Sequence, residues 1–304
     1  MGGMKLSGFT FVRNAVLLDY PVVESILSIL PIVDEFIVNV GPSEDGTLEL
    51  IRSIGNPKIK IIQSQWNPNI VSGGYICAQQ TNIALFNCMG KWAFYLQPDE
   101  VVHEDDHPLV MEYVDRYIDD DRVEGLTLRE LNFWGDCRTI MRVYPQWLRR
   151  RCWIVKPHRF TLSRGDAAGF SVHPKYKERG RRIRVMDTGA RLFHVGSVKS
   201  DDALRYKCRT FSAVFQGDRS GAYEWEDSFY YRKMPRQFVA RYDGAFPKVL
   251  EGWINKHPRA MDLGSPLWRT TMTWKEQWRL VQTFWSQRVT DRYPSRQSFR
   301  LLKE

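Results

Sequence analysis

The first 120 residues of this 304-residue chain predict an α/β fold, a Rossmann-like, mostly parallel central sheet flanked by helices. Three observations carry that expectation. Strand-like and helix-like patterns alternate along the first half. The strand candidates are near-continuous apolar runs, as in Phe36-Ile37-Val38-Asn39-Val40, which suits strands covered on both faces. The composition is 43% hydrophobic and 26% charged, which excludes a disordered chain, a collagen-like fibre and a small disulfide scaffold.

Residues 6–12 open with a short apolar strand. Asp19-Tyr20-Pro21 then starts a helix, because proline suits the first helical turn. Its apolar stripe is Val22, Val23, Ile26, Leu27 and Leu30, and Pro31 ends it. Residues 36–40 form the second strand, and the turn 43–47 feeds a helix over 48–54. In that turn Asp45 caps the helix and Gly46 permits the bend. A third strand covers 58–62, a helix 78–88 stops at Gly90, and a fourth strand runs over 92–96. Pro108 starts a further helix that reaches Ile118.

The second half has another texture. Strand-like pieces at 125–131, 140–144, 183–186 and 190–195 are separated by Gly- and Arg-rich turns, predicting mixed or antiparallel strands. From Ser200 helical patterns return, rich in Trp and Tyr. Trp274, Trp278, Val281 and Trp285 fall on one helical stripe, which reads as core or helix-packing surface, with Lys275, Arg279 and Arg288 between them. Those cations also allow an interfacial helix on anionic lipid, and the rings a platform for sugars. The expected organisation is a donor-side half over 4–120, an acceptor-side half over 121–200 and a helical, Trp-rich C-terminal extension over 201–304.

Five cysteines, an odd number with no CxxC pair, argue against a zinc site and a disulfide framework, and fit a cytoplasmic setting. The most apolar stretch, 22–40, is broken by Glu24, Pro31, Asp34 and Glu35 and is not a membrane span. With 44 basic and 35 acidic side chains the net charge is +9, which points to an anionic partner: nucleic acid, a membrane surface or a phosphorylated small molecule. The densest basic runs are Arg149-Arg150-Arg151 and 179–184. Each taken singly reads as a solvated loop, and three successive arginines cannot share one face of a strand or helix.

Ligands on such sheets bind at the carboxyl ends of the strands. Three polar loops fall there: Arg13-Asn14, the 39–47 turn, and Gln97-Pro98-Asp99-Glu100. Asp99 and Glu100 are oxygen ligands of the type hard divalent cations prefer, although two solvated acids at a strand end are common.

Three segments together resemble the family 2 glycosyltransferases with the GT-A fold. They are Phe9-Thr10-Phe11-Val12-Arg13-Asn14, the stretch from Asp34 through Asp45-Gly46-Thr47, and the stretch from Gln80-Thr81-Asn82 through Gly90 to Asp99-Glu100. The resemblance implies an activated sugar nucleotide, most often UDP-linked, as donor and Mn or Mg as cofactor. By position, Phe11, Arg13, Asn14, Asn39, Val40, Asn82, Gln97 and Pro98 would border the nucleotide, and Asp99, Glu100 and His194 would hold the metal. The chain departs from the family pattern at two places. Asn39 and Val40 stand where an aspartate for the base or ribose is usual, and Gln97 replaces the first acid of the DxD motif.

Inverting transfer requires a carboxylate to take the proton of the acceptor hydroxyl. Asp166, in a Gly-flanked loop, is preferred over Asp187 for that role, and each taken alone reads as a turn residue. His194 reads equally as a strand-end histidine, while His103, His158 and His173 read as loop residues. The partners this implies are a nucleotide-sugar donor and a carbohydrate or glycolipid acceptor, with peripheral contact at the inner face of a membrane and an oligomer left open. Nucleic acid is not expected as a partner, because no recognised nucleic-acid motif is present and the basic residues are spread, but the +9 charge keeps a DNA-modifying glycosyltransferase or a nucleic-acid-binding protein as an alternative. Two further alternatives are a nucleotidyltransferase, for which the Gly-rich loop after the first strand is missing, and a non-catalytic sugar-nucleotide sensor.

Overall fold

The computed structural model describes residues 3–70, 73–143, 150–157, 160–173, 180–216, 234–257, 268–269, 272–285 and 299–302. The alternation read from the first half is present. In order come β1 (Leu6–Val12), α1 (Val22–Ile29), β2 (Glu35–Val40), α2 (Thr47–Ser53), β3 (Ile59–Gln63), α3 (Tyr75–Leu85), β4 (Trp92–Tyr95), β5 (Glu100–Val102) and α4 (His107–Arg116). The second half adds β6 (Gly125–Trp134), β7 (Thr139–Met141), β8 (Arg150–Val155), β9 (Thr161–Arg164), β10 (Gly169–Val172), β11 (Arg181–Ser197) and α5 (Asp201–Gln216). Beyond these lie β12 (Met234–Pro235), β13 (Val239–Arg241), α6 (Glu251–Lys256), β14 (Trp268–Arg269), α7 (Trp274–Trp285) and β15 (Phe299–Leu301).

The main sheet runs in the order β3-β2-β1-β4-β8-β6-β11-β10-β9. Pairing is parallel from β3 to β4. It turns antiparallel at β8, is parallel again between β6 and β11, and is antiparallel from there to β9. Helices flank the sheet, and this is the GT-A architecture that the sequence predicts. β2 is buried along its whole length, as its unbroken apolar pattern requires. One core cluster joins both halves, with Phe9, Tyr95, Trp153 and Phe170 stacking edge-on or tilted at centroid separations of 5.1 to 6.4 Å. These four rings tie β1, β4, β8 and β10 together.

Several local expectations change. The pieces at 183–186 and 190–195 are one 17-residue strand, β11. A register shift between Asp187 and Arg191, with Gly189 at φ 74°, breaks its pattern into two. Gly90 does more than stop a helix: a Cβ there would press on the Ser7 backbone N–H and the Trp92 carbonyl, so only glycine lets β4 pass β1 at this point. The C-terminal third is not only helical. β13 pairs with β7 and β15 with β11, covering sheet edges that would otherwise stay open.

The Trp stripe does not pack in the core. Among the described residues Trp274, Trp278, Val281, Phe284 and Trp285 are exposed, while Leu280 and Thr283 turn inward. The basic runs are not solvated loops either. Arg150 and Arg151 emerge on opposite faces of β8, the first pairing with Asp187 and the second with Glu130. Arg181 and Arg184 both reach Glu124. Arg149, Arg179, Arg288 and His158 lie outside the described residues. None of the five cysteines is in a disulfide. Among the described residues no helix is long and apolar enough to cross a membrane.

Candidate active site

The rim forms where β1, β2 and β4 end. At the end of β1 Asn14 takes the left-handed conformation, φ 51°, which asparagine tolerates. Its carbonyl oxygen accepts from the Glu44 backbone N–H at 2.9 Å, and its amide donates to the Tyr206 hydroxyl on α5 at 2.7 Å. Arg13 reaches across to the Pro42 carbonyl at 2.8 Å and stands 5.2 Å from the centroid of Trp66. Phe11 faces the same indole at 6.1 Å. Asp45 closes the next turn by accepting from the Thr47 N–H at 3.1 Å, and its other oxygen takes the Leu17 N–H at 2.8 Å. Gly46, at φ 74°, permits the bend as expected, but it is also the N-cap of α2; Asp45 lies one residue earlier and closes the turn instead of capping the helix.

Asn39 is buried in β2 and donates to the backbone and side-chain oxygens of Gln80, both at 2.9 Å. Its own carbonyl oxygen is buried with no hydrogen-bond partner, and so is the Trp66 indole N–H. Both atoms are shut away from solvent, the Asn39 oxygen on the strand next to Phe11 and the Trp66 nitrogen against Gly41. Val40 is buried. Together with Gly41, Ser43, Thr47, Gln63 and Gln65 it lines a pocket of about 250 Å³ on the β3 side, which Asp99, His194 and Lys207 do not line.

At the end of β4 the two acids go separate ways. Glu100 turns into the core, accepting from the Trp153 indole at 2.7 Å and the Gln97 backbone N–H at 2.8 Å. Burial pushes its carboxyl up to about 7, Glu130 adds to that, and His194, the Gln97 N–H and Arg151 oppose it. Asp99 faces the rim side. Its Oδ2 lies 3.6 Å from His194 Nε2 and 3.2 Å from Lys207 Nζ. Burial opposes ionisation of Asp99, but the charges of Lys207 and His194 outweigh it and hold the carboxyl well below the usual carboxylate range. Burial alone would lower His194; Asp99 and Glu130 raise it.

Lys207 and Tyr206 belong to α5, which sequence reading did not connect with the site. The helix lays Tyr206 on Asn14 and Lys207 on Asp99, bridging the ends of β1 and β4. A second lysine supports this arrangement from below. Lys199 is buried, donates to the carbonyls of Leu18 and Asp19, and stands 4.1 Å from the Tyr20 ring centroid. Burial, then Lys207, drives its ammonium well below the ordinary lysine value. It pins the loop between β1 and α1.

Gly196 completes the cluster. A Cβ at this position would be driven into Asp99 Oδ2 and His194 Nε2. Gly196→Ala is expected to destabilise the fold by about 1–3 kcal/mol, the scale for overfilling a packed site. A melting curve checks this; unchanged stability would show that Asp99 and His194 move aside without cost.

The other expected residues fall as follows. Asn82 is spent on β9, its amide bonding both the N–H and the carbonyl of Ser163 at 2.7 and 3.2 Å. It holds a strand and does not join the rim. Pro98 is buried, and Gln97 acts through its backbone, accepting from Ser25 Oγ at 3.1 Å. Asp187 pairs with Arg150 at 2.6 Å and accepts from Thr127 Oγ1 at 2.8 Å. It lies on the opposite sheet face from Glu130, seven residues before His194 in β11, roughly 20 Å along the strand at ~3.3 Å per residue. It does not reach the Asp99 cluster. Asp166 stands exposed in the β9–β10 turn, where its charge acts on Arg151 and Cys77.

Asp99 and His194 are the two side chains that would hold a divalent cation. Glu100 is committed elsewhere, and among the described residues no group of three or more His, Cys, Asp or Glu side chains converges as a metal site. With the Lys207 ammonium on Asp99 Oδ2, the residues present do not fit Mn or Mg.

The sheet order and its flanking helices define an α/β protein, with a polar cluster at the carboxyl rim of its parallel strands. Similar solved structures include S. aureus TarS 1–349 in complex with UDP, with TM-score 0.36 and 18% identity over 52% of this chain and 48% of that one. TarS 1–349 in complex with UDP-GlcNAc matches with TM-score 0.36 and 18% identity over 52% and 46%, and the longer TarS chain is covered to 29%. The match thus spans about half or less of those chains. No family model matches the chain, and no curated protein does.

Proposed function

We propose that this chain is a glycosyltransferase that moves a sugar from a UDP-linked donor to an acceptor hydroxyl with inversion. One observation carries the proposal: Asp99, His194 and Lys207 meet at the end of β4 while Tyr206 ties the same helix to Asn14 at the end of β1. That places compensated charge where a diphosphate on such a sheet would lie. Phe11, Arg13 and Trp66 cluster beside the ends of β1 and β2, where an aromatic base could be received. The proposal stands on these residues of the chain itself; the likeness to TarS, at TM-scores of 0.34 to 0.36, bears no weight in it.

In the proposed reaction the acceptor oxygen attacks the anomeric carbon, and the bond from that carbon to the β-phosphate oxygen breaks. The electron pair leaves on the diphosphate, whose charge the rim compensates. The acceptor proton passes to a carboxylate, for which Asp166 is the exposed candidate bordering Arg151.

A thermal-shift series with UDP, UDP-sugars, other nucleoside diphosphates and duplex DNA tests the donor. UDP at 100 times its Kd should stabilise the fold by about 2.7 kcal/mol. Stabilisation by DNA alone, or by no nucleotide, would defeat the proposal. In a transfer assay with a bound donor, Asp166→Asn should lower turnover and leave UDP affinity unchanged.

A further inference from the structure

Lys207 occupies the position at Asp99 that a metal would need. Its Nζ lies 3.2 Å from Asp99 Oδ2 and 3.0 Å from the Gly196 carbonyl, and the aromatic faces of Tyr20 and Phe211 stand 5.3 and 5.7 Å away. An ammonium has three N–H donors. Two are used within the chain, and the third is left for a ligand. The side chain is 16% exposed. It is held from two sides, by the carboxylate and by a backbone carbonyl of β11.

The charge balance points the same way. Asp99 is already met by one full positive charge and by His194. A divalent cation would have to displace the ammonium into a wall formed by Tyr20, Phe211 and the buried Lys199. Among the described residues, Asp99 and His194 alone would then remain as protein ligands.

We propose that Lys207 is the cation of this site: its ammonium contacts the donor diphosphate, and transfer proceeds without a bound divalent metal. This rests on the donor reading given above. In the step, the bond from the anomeric carbon to the β-phosphate oxygen breaks and its electron pair goes to that oxygen. The acceptor oxygen bonds to the carbon and its proton goes to the base. Lys207 gives up no proton; it compensates the charge developing on the diphosphate through an N–H hydrogen bond. Asp99 is the positioning residue that aims it, and Gly196 supplies both the second acceptor and the space.

The test uses calorimetry with the whole chain and two probes, UDP and uridine, in excess EDTA and again with Mn or Mg. Wild-type protein should bind UDP equally, within about twofold, in every condition. Lys207→Ala should weaken UDP about thirtyfold, the scale of a charge-assisted hydrogen bond, and leave uridine unchanged. Lys207→Arg should recover part of the loss. UDP binding by the wild type only with Mn or Mg overturns the inference, and that arm needs no variant to fold. Equal UDP affinity in wild type and Lys207→Ala overturns it as well. A wild type that binds neither UDP nor uridine in any arm defeats the donor reading itself, and the inference falls with it.

Discussion

Asp99→Asn is expected to reduce transfer at least ~100-fold, the scale seen when a group that compensates transition-state charge is lost. The amide keeps the shape but not the charge. Asp99 carries its negative charge against Lys207 and His194 inside a buried cluster. Its replacement leaves the ammonium without its counter-ion and frees Lys207 to leave the Gly196 carbonyl. The fold should survive, since Asp99 is not part of the apolar clusters, with a loss of about 1.5–3 kcal/mol for one charge-assisted hydrogen bond. A role confined to packing would show only in the melting curve. The split to measure is turnover against donor KM, together with the pH profile: His194 is raised by Asp99, so its titration should move to lower pH in the variant. Full activity in the variant would refute the assignment.

The second large effect is structural. Glu124→Gln should destabilise the fold by about 2–3 kcal/mol at neutral pH. Glu124 is 2% exposed. It accepts from Arg181 Nη1 at 2.7 Å, and from the Arg184 backbone N–H and Nη2 at 3.0 Å each. Burial pushes its carboxyl up, but the hydrogen bonds from Arg181 and Arg184 outweigh this and bring it down to about 2. Both arginines are partly open to water, at 42% and 34% exposure, which screens the pair and sets the estimate at the lower end. The folded value lies below the unfolded value of 4.5, so the stabilisation is present above about pH 4.5. It is lost as pH falls towards 2. The gap between wild type and Glu124→Gln, measured by denaturant unfolding, should therefore be constant from pH 8 to 5 and close between pH 4.5 and 2. A gap that persists at pH 2.5 would mean that the carboxylate charge is not what holds the start of β6 to β11.

Glu124 also shows what a linear reading misses. Its partners lie 57 and 60 residues away, and nothing in the run 179–184 marks two of its arginines as ion-paired. The same holds for Asp187, which reads as a candidate base and is fixed by Arg150 on the other face of the sheet. A carboxylate's role depends on what it meets, and long-range ion pairs leave no period in the sequence.

The strands and helices of the first half were legible because their cause is local. Continuous apolar runs bounded by Pro, Gly and Asp turns specify β1 to β4 and the helices between them, and the carboxyl ends of those strands locate Arg13, Asn14 and Asp99. The sequence by itself therefore determined the α/β class and one side of the site. Only the tertiary structure decided that Glu100 turns inward to Trp153, that Asn82 serves β9, and that Lys207 arrives from a helix 108 residues beyond Asp99 to settle on its carboxylate. The physical reason is that burial and charge pairing are set by packing between distant segments, whereas hydrophobic period and turn chemistry are set by neighbours in the chain.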